Sequence, residues 1–130
     1  MNKVLIDTCC WIDFFKSKNG ELGDLVSMLI ESNRAVITGV IITELLQGCK
    51  TDKERKQLDQ LFSTIDSLSV IDEDWRSTGV ALQNLRTQGK TVPVTDGLIA
   101  TVAQRNKVSV LTIDNHFKYL HVVQYPIKNA

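Results

Sequence analysis

Short apolar runs alternate with segments of helical periodicity, and this alternation constrains the fold more than any other feature of the chain. The predicted strands are KVLID (3–7), AVIT (35–38), LSVI (68–71) and VSVLTI (108–113), with VVQY (122–125) as a fifth candidate. Strands that are apolar along their whole length are typical of a parallel sheet with both faces covered by helices. The sequence therefore predicts an α/β fold around a central parallel sheet of four to five short strands.

Helices are predicted between these strands. They cover 8–15, 21–32, 40–48, 52–65, 72–89 and 92–106. We expect Thr8 and Thr95 to cap the first and the last of them, Gly48 to end the third, and a turn to cover 16–20. In a sheet of this kind, ligands bind beyond the carboxyl ends of the strands.

Length, charge and cysteine content narrow the classes of function. The chain has 130 residues, which suits a single domain over 1–130, and its 15 basic and 15 acidic side chains cancel. Without net charge it lacks the general attraction for nucleic acid of a basic protein, so any RNA must be held locally. The three cysteines do not have the spacing of a zinc site, and we find no signal peptide and no long apolar run. These features predict a cytoplasmic protein with reduced thiols and no membrane span.

Carboxylates follow two of the predicted strands. Asp7 ends KVLID, and Asp114 comes directly after VSVLTI. Because parallel strands end at the same edge of a sheet, we expect both side chains at that edge. Each Asp taken singly also has a structural explanation, since Asp is common where a strand turns into a loop.

Two further acids lie within apolar segments. Asp96 has helical spacing with Ile99 and Ala103, so this acid lies at the start of an apolar helix face. Partial burial of a carboxylate costs free energy unless its charge is compensated. Its place in the first turn of a helix is also explained by the helix dipole. Glu44 lies on the flank of the apolar face of 40–48, and periodicity alone predicts that it is solvated.

These acids have few basic neighbours in the sequence. No Lys or Arg lies within three residues of Glu44, Asp96 or Asp114. If they converge with Asp7, the compensating charge must come from outside the chain, and oxygen ligands of this kind select Mg²⁺ or Mn²⁺. A divalent ion held by carboxylates can activate water and neutralise phosphate charge, which is the equipment for phosphodiester hydrolysis.

Four segments resemble, in order, the motifs of PIN-domain ribonucleases. They are VLIDTCCWIDFF, VIITELLQG, VPVTDGLIATVA and VLTIDNHF. The chain is most similar to the VapC-type toxins of bacterial toxin–antitoxin pairs. This resemblance implies a three-layer α/β/α fold and a metal-dependent endoribonuclease that acts as the toxin. It also implies RNA as the substrate, an antitoxin protein as the partner, and a homodimer.

The resemblance assigns roles to the acids. Asp7, Glu44, Asp96 and Asp114 become the catalytic residues, with Asp7 and Asp96 as the principal ligands of Mg²⁺ or Mn²⁺. Glu44 and Asp114 would complete the pocket, through water or around a second ion. For Glu44 this role opposes the solvated position that periodicity predicts.

Neighbouring residues receive supporting roles, and two positions depart from the family pattern. Thr8 and Thr112 would orient carboxylates or waters through their hydroxyls. Cys9 stands where Ser or Asn is common, which puts one side-chain hydrogen bond in doubt. His116 stands where some members carry a further acid. We expect His116 to have a surface or packing role, with a metal or acid–base role left open.

Apolar side chains also favour a homodimer. Trp11, Phe14 and Phe15 have helical spacing. Together with the apolar face of 41–46 they offer more surface than one small sheet can easily cover.

Other protein classes that end a first strand on Asp fit less well. A haloacid dehalogenase-type phosphatase needs a second Asp two residues after Asp7, where this chain has Cys9. A response-regulator receiver normally carries neighbouring acids at the first strand, but Ile6 precedes Asp7. A catalytically silent PIN-like module that binds RNA or protein is the remaining alternative. Such members typically lose acids, whereas this chain keeps four.

Overall fold

Four strands alternate with six α-helices in the residues that the computed structural model describes, 2–16 and 20–127. The strands are β1 (Val4–Ile6), β2 (Ala35–Thr38), β3 (Asp66–Leu68) and β4 (Ser109–Leu111). The helices are α1 (Thr8–Lys16), α2 (Glu21–Glu31), α3 (Gly39–Gln47), α4 (Asp52–Phe62), α5 (Asp72–Thr87) and α6 (Val94–Arg105). A short 3₁₀ helix, Asn115–Tyr119, follows β4.

The strands form one parallel sheet in the order β3-β2-β1-β4. Leu5 in the central strand β1 is in register with Val36 of β2 and Val110 of β4. Every residue of β1 and β2 is buried, so both faces of the sheet are covered. The predicted α/β fold with a central parallel sheet is confirmed.

The hydrophobic core lies between the sheet and the helices. Its largest fully buried side chains include Trp11 of α1, Ile99 of α6 and Phe117 of the 3₁₀ helix. These anchors hold α1, α6 and the 3₁₀ helix against the strands, and each of the three elements begins within a few residues of an acid. Core packing therefore fixes where the acids lie.

Helices α5 and α6 approach each other closely at Gly97. A Cβ atom at this position would lie 3.1 Å from Leu82 Cδ2 and 3.1 Å from Thr78 Cγ2. The absence of a side chain at Gly97 allows this contact. Because Asp96 precedes Gly97, the contact between the helices also sets the position of that carboxylate.

Two predicted strands differ from the structure. LSVI (68–71) overlaps β3 only at Leu68, since β3 begins at Asp66, which is in register with Val36. As an edge strand β3 is partly exposed and tolerates polar residues, so an apolar run was the wrong signal for it. The segment VVQY forms no strand and contributes only an isolated bridge between Gln124 and Val110.

The predicted helix caps were partly wrong. Helix α1 begins at Thr8, and it is the carboxylate of Asp7 that accepts the Thr8 N–H, at 2.8 Å. Helix α6 begins at Val94 and its cap residue is Pro93, so Thr95 lies inside the helix. Gly48 ends α3 as predicted. The turn predicted over 16–20 falls largely outside the described residues.

The surface predicted for a homodimer is mostly internal. Trp11 and Ile41 are fully buried within one chain. Among Trp11, Phe14 and Phe15, only Phe15 is substantially exposed, at 42%. The homodimer therefore stays a prediction and rests on the family resemblance rather than on these side chains. None of the described helices has the length and apolar character that a membrane span requires.

Candidate functional site

Asp7 is buried at the carboxyl end of β1 and is held by the protein at both carboxylate oxygens. The Thr8 N–H donates to Oδ1 at 2.8 Å. The Thr112 hydroxyl donates to Oδ2 at 2.7 Å, and the Cys9 thiol donates to the same oxygen at 3.4 Å. The backbone N–H of Asp7 donates to the Leu111 carbonyl at 2.9 Å, which joins the end of β1 to the end of β4.

Burial dominates the electrostatics of Asp7. Only 4% of the residue is exposed. This burial raises the pKa of the Asp7 carboxyl, and the nearby charge of Asp114 acts in the same direction, against the lowering effect of the three hydrogen bonds. A charged Asp7 is therefore costly in this environment, so a cation would stabilise it.

Asp96 lies in the first turn of α6, only 9% exposed, with its carboxylate near two other acids. Burial, and then the charges of Asp114 and Asp7, raise the pKa of Asp96 to about 7. A helix dipole favours the charged form of an acid in this turn, so the dipole does not explain the shift. The raised pKa instead reflects burial and the nearby carboxylates, which the opposing influence of His116 only partly offsets.

Asp114 and His116 complete this group from the loop after β4. Asp114 caps the 3₁₀ helix, since its Oδ1 accepts the backbone N–H of His116 at 2.9 Å. The imidazole Nδ1 of His116 lies 2.8 Å from Asp114 Oδ1 and 3.2 Å from Asp96 Oδ2. Asp96, Asp114 and His116 each offer a ligand atom, and these three atoms lie within 4.8 Å of one another.

Glu44 is half-buried on α3 and is tied to the site through Thr8. The Thr8 hydroxyl donates to Glu44 Oε1 at 2.8 Å, while the backbone N–H of Thr8 donates to Asp7. One residue thus contacts two of the four predicted acids. The solvated position that periodicity predicted for Glu44 was wrong, because α1 packs against α3 and its first residue, Thr8, contacts Glu44.

In the described residues no Lys or Arg forms an ion pair with any of the four acids, and the basic group beside Asp96 and Asp114 is the imidazole of His116. Arg105, at the far end of α6 from Asp96, pairs instead with Asp74 of α5. The negative charge of Asp7, Asp96 and Asp114 is therefore left for something outside the chain. Such a site can bind a divalent cation and, through it, an anionic group.

Sequence reasoning located the acids but underestimated His116, for which a surface or packing role was expected. The structure places its Nδ1 among the carboxylates. Its position two residues after Asp114, in the 3₁₀ helix that Asp114 caps, could have indicated that His116 lies close to Asp114. The contact with Asp96 has no counterpart in the local sequence.

Cys9 departs from the family pattern without losing contact with the site. Its Sγ lies 3.4 Å from Asp7 Oδ2 and 3.8 Å from Thr112 Oγ1. The contact between the Cys9 and Cys10 thiols, 4.0 Å apart, lowers the pKa of Cys9 and raises that of Cys10. All three cysteines are free thiols, as predicted.

Known proteins resemble this chain over most of its length. Ribonuclease VapC11 of Mycobacterium tuberculosis (strain H37Rv) is 30% identical over 118 residues, which cover 88% of this chain and 88% of that protein. The DNA-bound VapBC of Salmonella typhimurium superposes with a TM-score of 0.78 at 21% identity, covering 95% of this chain and 96% of that one. A toxin–antitoxin complex from Klebsiella pneumoniae superposes with a TM-score of 0.72 at 18% identity, covering 88% and 90%.

The match to a family is equally extensive. Residues 4–122 match the sequence model of the PIN domain. This range contains all four acids, both threonines and His116. The chain therefore belongs to the PIN-domain family.

Proposed function

We propose that this chain is a metal-dependent endoribonuclease and the toxin of a toxin–antitoxin pair. Asp7, Glu44, Asp96 and Asp114 would be its catalytic acids, and Mg²⁺ or Mn²⁺ its cofactor. The observation that carries the proposal is the gathering of carboxylates at the carboxyl edge of the sheet, two of them buried, without Lys or Arg as an ion-pair partner in the described residues. The sequence relationship to VapC ribonucleases supports RNA as the substrate.

The donor set fits a divalent cation. Asp96 and Asp114 supply carboxylate oxygens whose like charges repel, and the Nδ1 atom of His116 is buried between them without a hydrogen-bond partner. Oxygen-rich sites of this kind suit Mg²⁺ and Mn²⁺. A bound ion would offset the burial and the repulsion that raise the pKa of Asp96.

Each acid would have a separate task in hydrolysis. A divalent ion held here supplies a polarised water and positive charge for a phosphodiester group. Asp7 and Asp96 would be its principal ligands, and three hydrogen bonds already fix Asp7 in one orientation. Glu44, held by Thr8, would accept the proton of the attacking water or orient that water. Asp114 would complete the negative pocket.

The partner in this proposal is an antitoxin protein, and the compartment is the cytoplasm, where RNA is accessible. A similar solved structure is a toxin–antitoxin complex. An antitoxin that presents an Arg to the carboxylates would make the charge-assisted contact that this chain itself lacks. Co-purification with the product of a small neighbouring gene, and loss of RNA cleavage in the complex, would support this part of the proposal.

Cleavage of RNA by the purified chain tests the function directly. We expect cleavage with Mg²⁺ or Mn²⁺, none in EDTA, and none in Asp7→Asn or Asp96→Asn. Asp59→Asn, at an exposed position of α4, is the matched control and should cleave like the wild type. Cleavage that persists in EDTA and in both site variants would contradict the proposal. RNA binding without cleavage in the wild type would favour the catalytically silent binding module instead.

A further inference from the structure

His116 carries the one aromatic nitrogen among the carboxylates of the site. We propose that Nδ1 of His116 is a direct ligand of the metal ion, and that this nitrogen shifts the preference of the site from Mg²⁺ toward first-row transition ions such as Mn²⁺. This inference rests on the proposed function and specifies its metal site.

The two distances from His116 fit one ion to which Asp114 and His116 are ligands beside Asp96, in addition to the Asp7 ligand of the proposed function. An octahedral ion with ligands at about 2.1 Å places neighbouring ligand atoms about 3 Å apart and opposite ones about 4 Å apart. His116 Nδ1 lies 2.8 Å from Asp114 Oδ1 and 3.2 Å from Asp96 Oδ2, as neighbouring ligands would. Each of the three residues offers an atom within 4.8 Å of the others.

The surroundings of Nδ1 also favour a ligand. The His116 side chain is 43% exposed, yet its Nδ1 atom is buried and makes no hydrogen bond of acceptable geometry. The ring therefore turns this nitrogen inward while its opposite side reaches solvent. A neutral imidazole protonated at the solvent-facing nitrogen presents a lone pair at Nδ1, the form in which histidine binds metals.

The backbone holds the Asp114 carboxylate beside the residue that carries the imidazole before any ion binds. Asp114 Oδ1 accepts the backbone N–H of His116 at 2.9 Å, so this carboxylate is fixed at the start of the short helix. Phe117, the next residue, is fully buried in the core and prevents the helix from rotating. Ligands fixed in this way lose little conformational freedom on binding.

A simple ion pair is the competing explanation. A protonated imidazolium could compensate Asp96 and Asp114 without any metal. The two explanations predict opposite effects when His116 is removed. Loss of a ligand weakens cation binding, whereas loss of a competing positive charge frees two carboxylates and strengthens it.

Metal preference separates the explanations further. Mg²⁺ prefers an all-oxygen environment, whereas transition ions gain affinity from imidazole nitrogen. As a ligand, His116 should therefore contribute more to the binding of Mn²⁺ than to that of Mg²⁺. Replacement by Asp would restore a third ligand and make the set all oxygen.

Calorimetric titration of the full chain with MnCl₂ and with MgCl₂ provides the test. We expect His116→Ala to weaken Mn²⁺ binding at least roughly tenfold and Mg²⁺ binding by less. We expect His116→Asp to recover Mg²⁺ binding but not the preference for Mn²⁺. His121→Ala removes the other histidine, which is exposed, and should bind both ions like the wild type.

Pulsed electron paramagnetic resonance of bound Mn²⁺ gives a readout that activity does not. Coupling to an imidazole nitrogen should appear in the wild type and in His121→Ala, and vanish in His116→Asp, whose third ligand keeps the ion bound. Thermal melts in EDTA identify the variants that fold. Equal or tighter Mn²⁺ binding by folded His116→Ala, or no nitrogen coupling in the wild type, would overturn the inference.

The same titrations separate this inference from the proposed function. If the wild type binds no divalent ion and cleaves RNA in EDTA, the metal-dependent function itself fails, and this inference fails with it. If the wild type binds Mn²⁺ and cleaves RNA, but His116→Ala binds Mn²⁺ equally well, only the ligand role of His116 fails.

Discussion

The Thr112 hydroxyl donates a hydrogen bond of 2.7 Å to Oδ2 of Asp7, a residue 105 positions earlier in the chain. The same hydroxyl oxygen accepts the backbone N–H of Asp114 at 3.0 Å. One side chain thus orients the acid after β1 and places the acid after β4. A hydroxyl with one donated and one accepted bond has a fixed orientation, so its replacement should disturb both acids.

Thr112→Val should weaken metal binding roughly 10- to 100-fold, because Asp7 loses its shortest hydrogen bond and Asp114 loses a backbone contact. Thr112→Ser keeps the hydroxyl and should keep most of the affinity. Calorimetric titration with MnCl₂ measures the difference. Thr87→Val, at the exposed end of α5, is the control. Equal affinity in the Val and Ser variants at position 112 would show that the hydroxyl does not matter.

Asp96→Asn should abolish RNA cleavage and leave the metal-free protein as stable as the wild type, or more stable by on the order of 1 kcal/mol at about pH 8. The amide removes a charge that burial and neighbouring acids disfavour. Mn²⁺ should raise the melting temperature of the wild type and barely change that of the variant. A variant clearly less stable than the wild type in EDTA would indicate that Asp96 mainly stabilises the start of α6.

The metal-free protein should lose stability as pH rises. The pKa of Asp96 is about 7 in the fold against 3.8 for an ordinary Asp, so between these values the folded state holds a proton that the unfolded state releases. The free energy of unfolding should therefore fall from about pH 4 to about pH 7 and level off above it, and the raised pKa of Asp7 has the same sign.

Urea unfolding in EDTA at about pH 5 and about pH 8 measures this trend. Other acids contribute to the total, so the decisive comparison is with Asp96→Asn, in which the fall should be smaller. Saturating Mn²⁺ should reduce the fall in the wild type, since a bound cation favours the charged carboxylates. An identical pH dependence in the wild type and the variant would contradict the raised pKa of Asp96.

Arg105→Gln should destabilise the fold without affecting the site. The guanidinium makes two bonds of 2.8 Å to Asp74, a carboxylate that is 2% exposed, and one of 2.6 Å to the Ser69 carbonyl. The hydrogen bonds from Arg105 lower the pKa of Asp74, so the variant would leave a buried charge unpaired at neutral pH.

Urea unfolding checks this, with Arg86→Gln at an exposed position of α5 as the control. The double variant Asp74→Asn, Arg105→Gln should recover part of the loss, because no charge is then buried alone. RNA cleavage by Arg105→Gln at a temperature where it is folded should match the wild type. Equal stability of Arg105→Gln and Arg86→Gln would contradict the importance of this pair, since many ion pairs between exposed side chains contribute nothing measurable.

The positions of the principal acids could be predicted because they depend on strands that the sequence specifies strongly. β1 and β4 are short apolar runs, and the residues after them had to lie at one edge of a parallel sheet. β3 could not be predicted in the same way. Its place follows from pairing with β2 at an exposed edge, where Asp66 and Ser67 are tolerated.

The environment of the acids depends on contacts between distant segments, which local periodicity does not contain. Glu44 is drawn into the site by a hydrogen bond from Thr8, 36 positions away in the chain. His116 meets Asp96 because the 3₁₀ helix packs beside the start of α6. Helical spacing describes one element at a time, so it predicts neither contact. The role of Glu44 came from the family resemblance, and the contact of His116 with Asp96 came from the structure.

The acids come from four separate segments, and the first and last of them, Asp7 and Asp114, follow the neighbouring strands β1 and β4. On a ribosome, a nascent chain that has not reached β4 lacks Asp114, Thr112 and one of the two neighbours of β1. An incomplete chain would therefore lack the assembled site that the proposed function requires. Under that proposal, the order of segments in the fold would delay RNA cleavage until synthesis has passed the last acid.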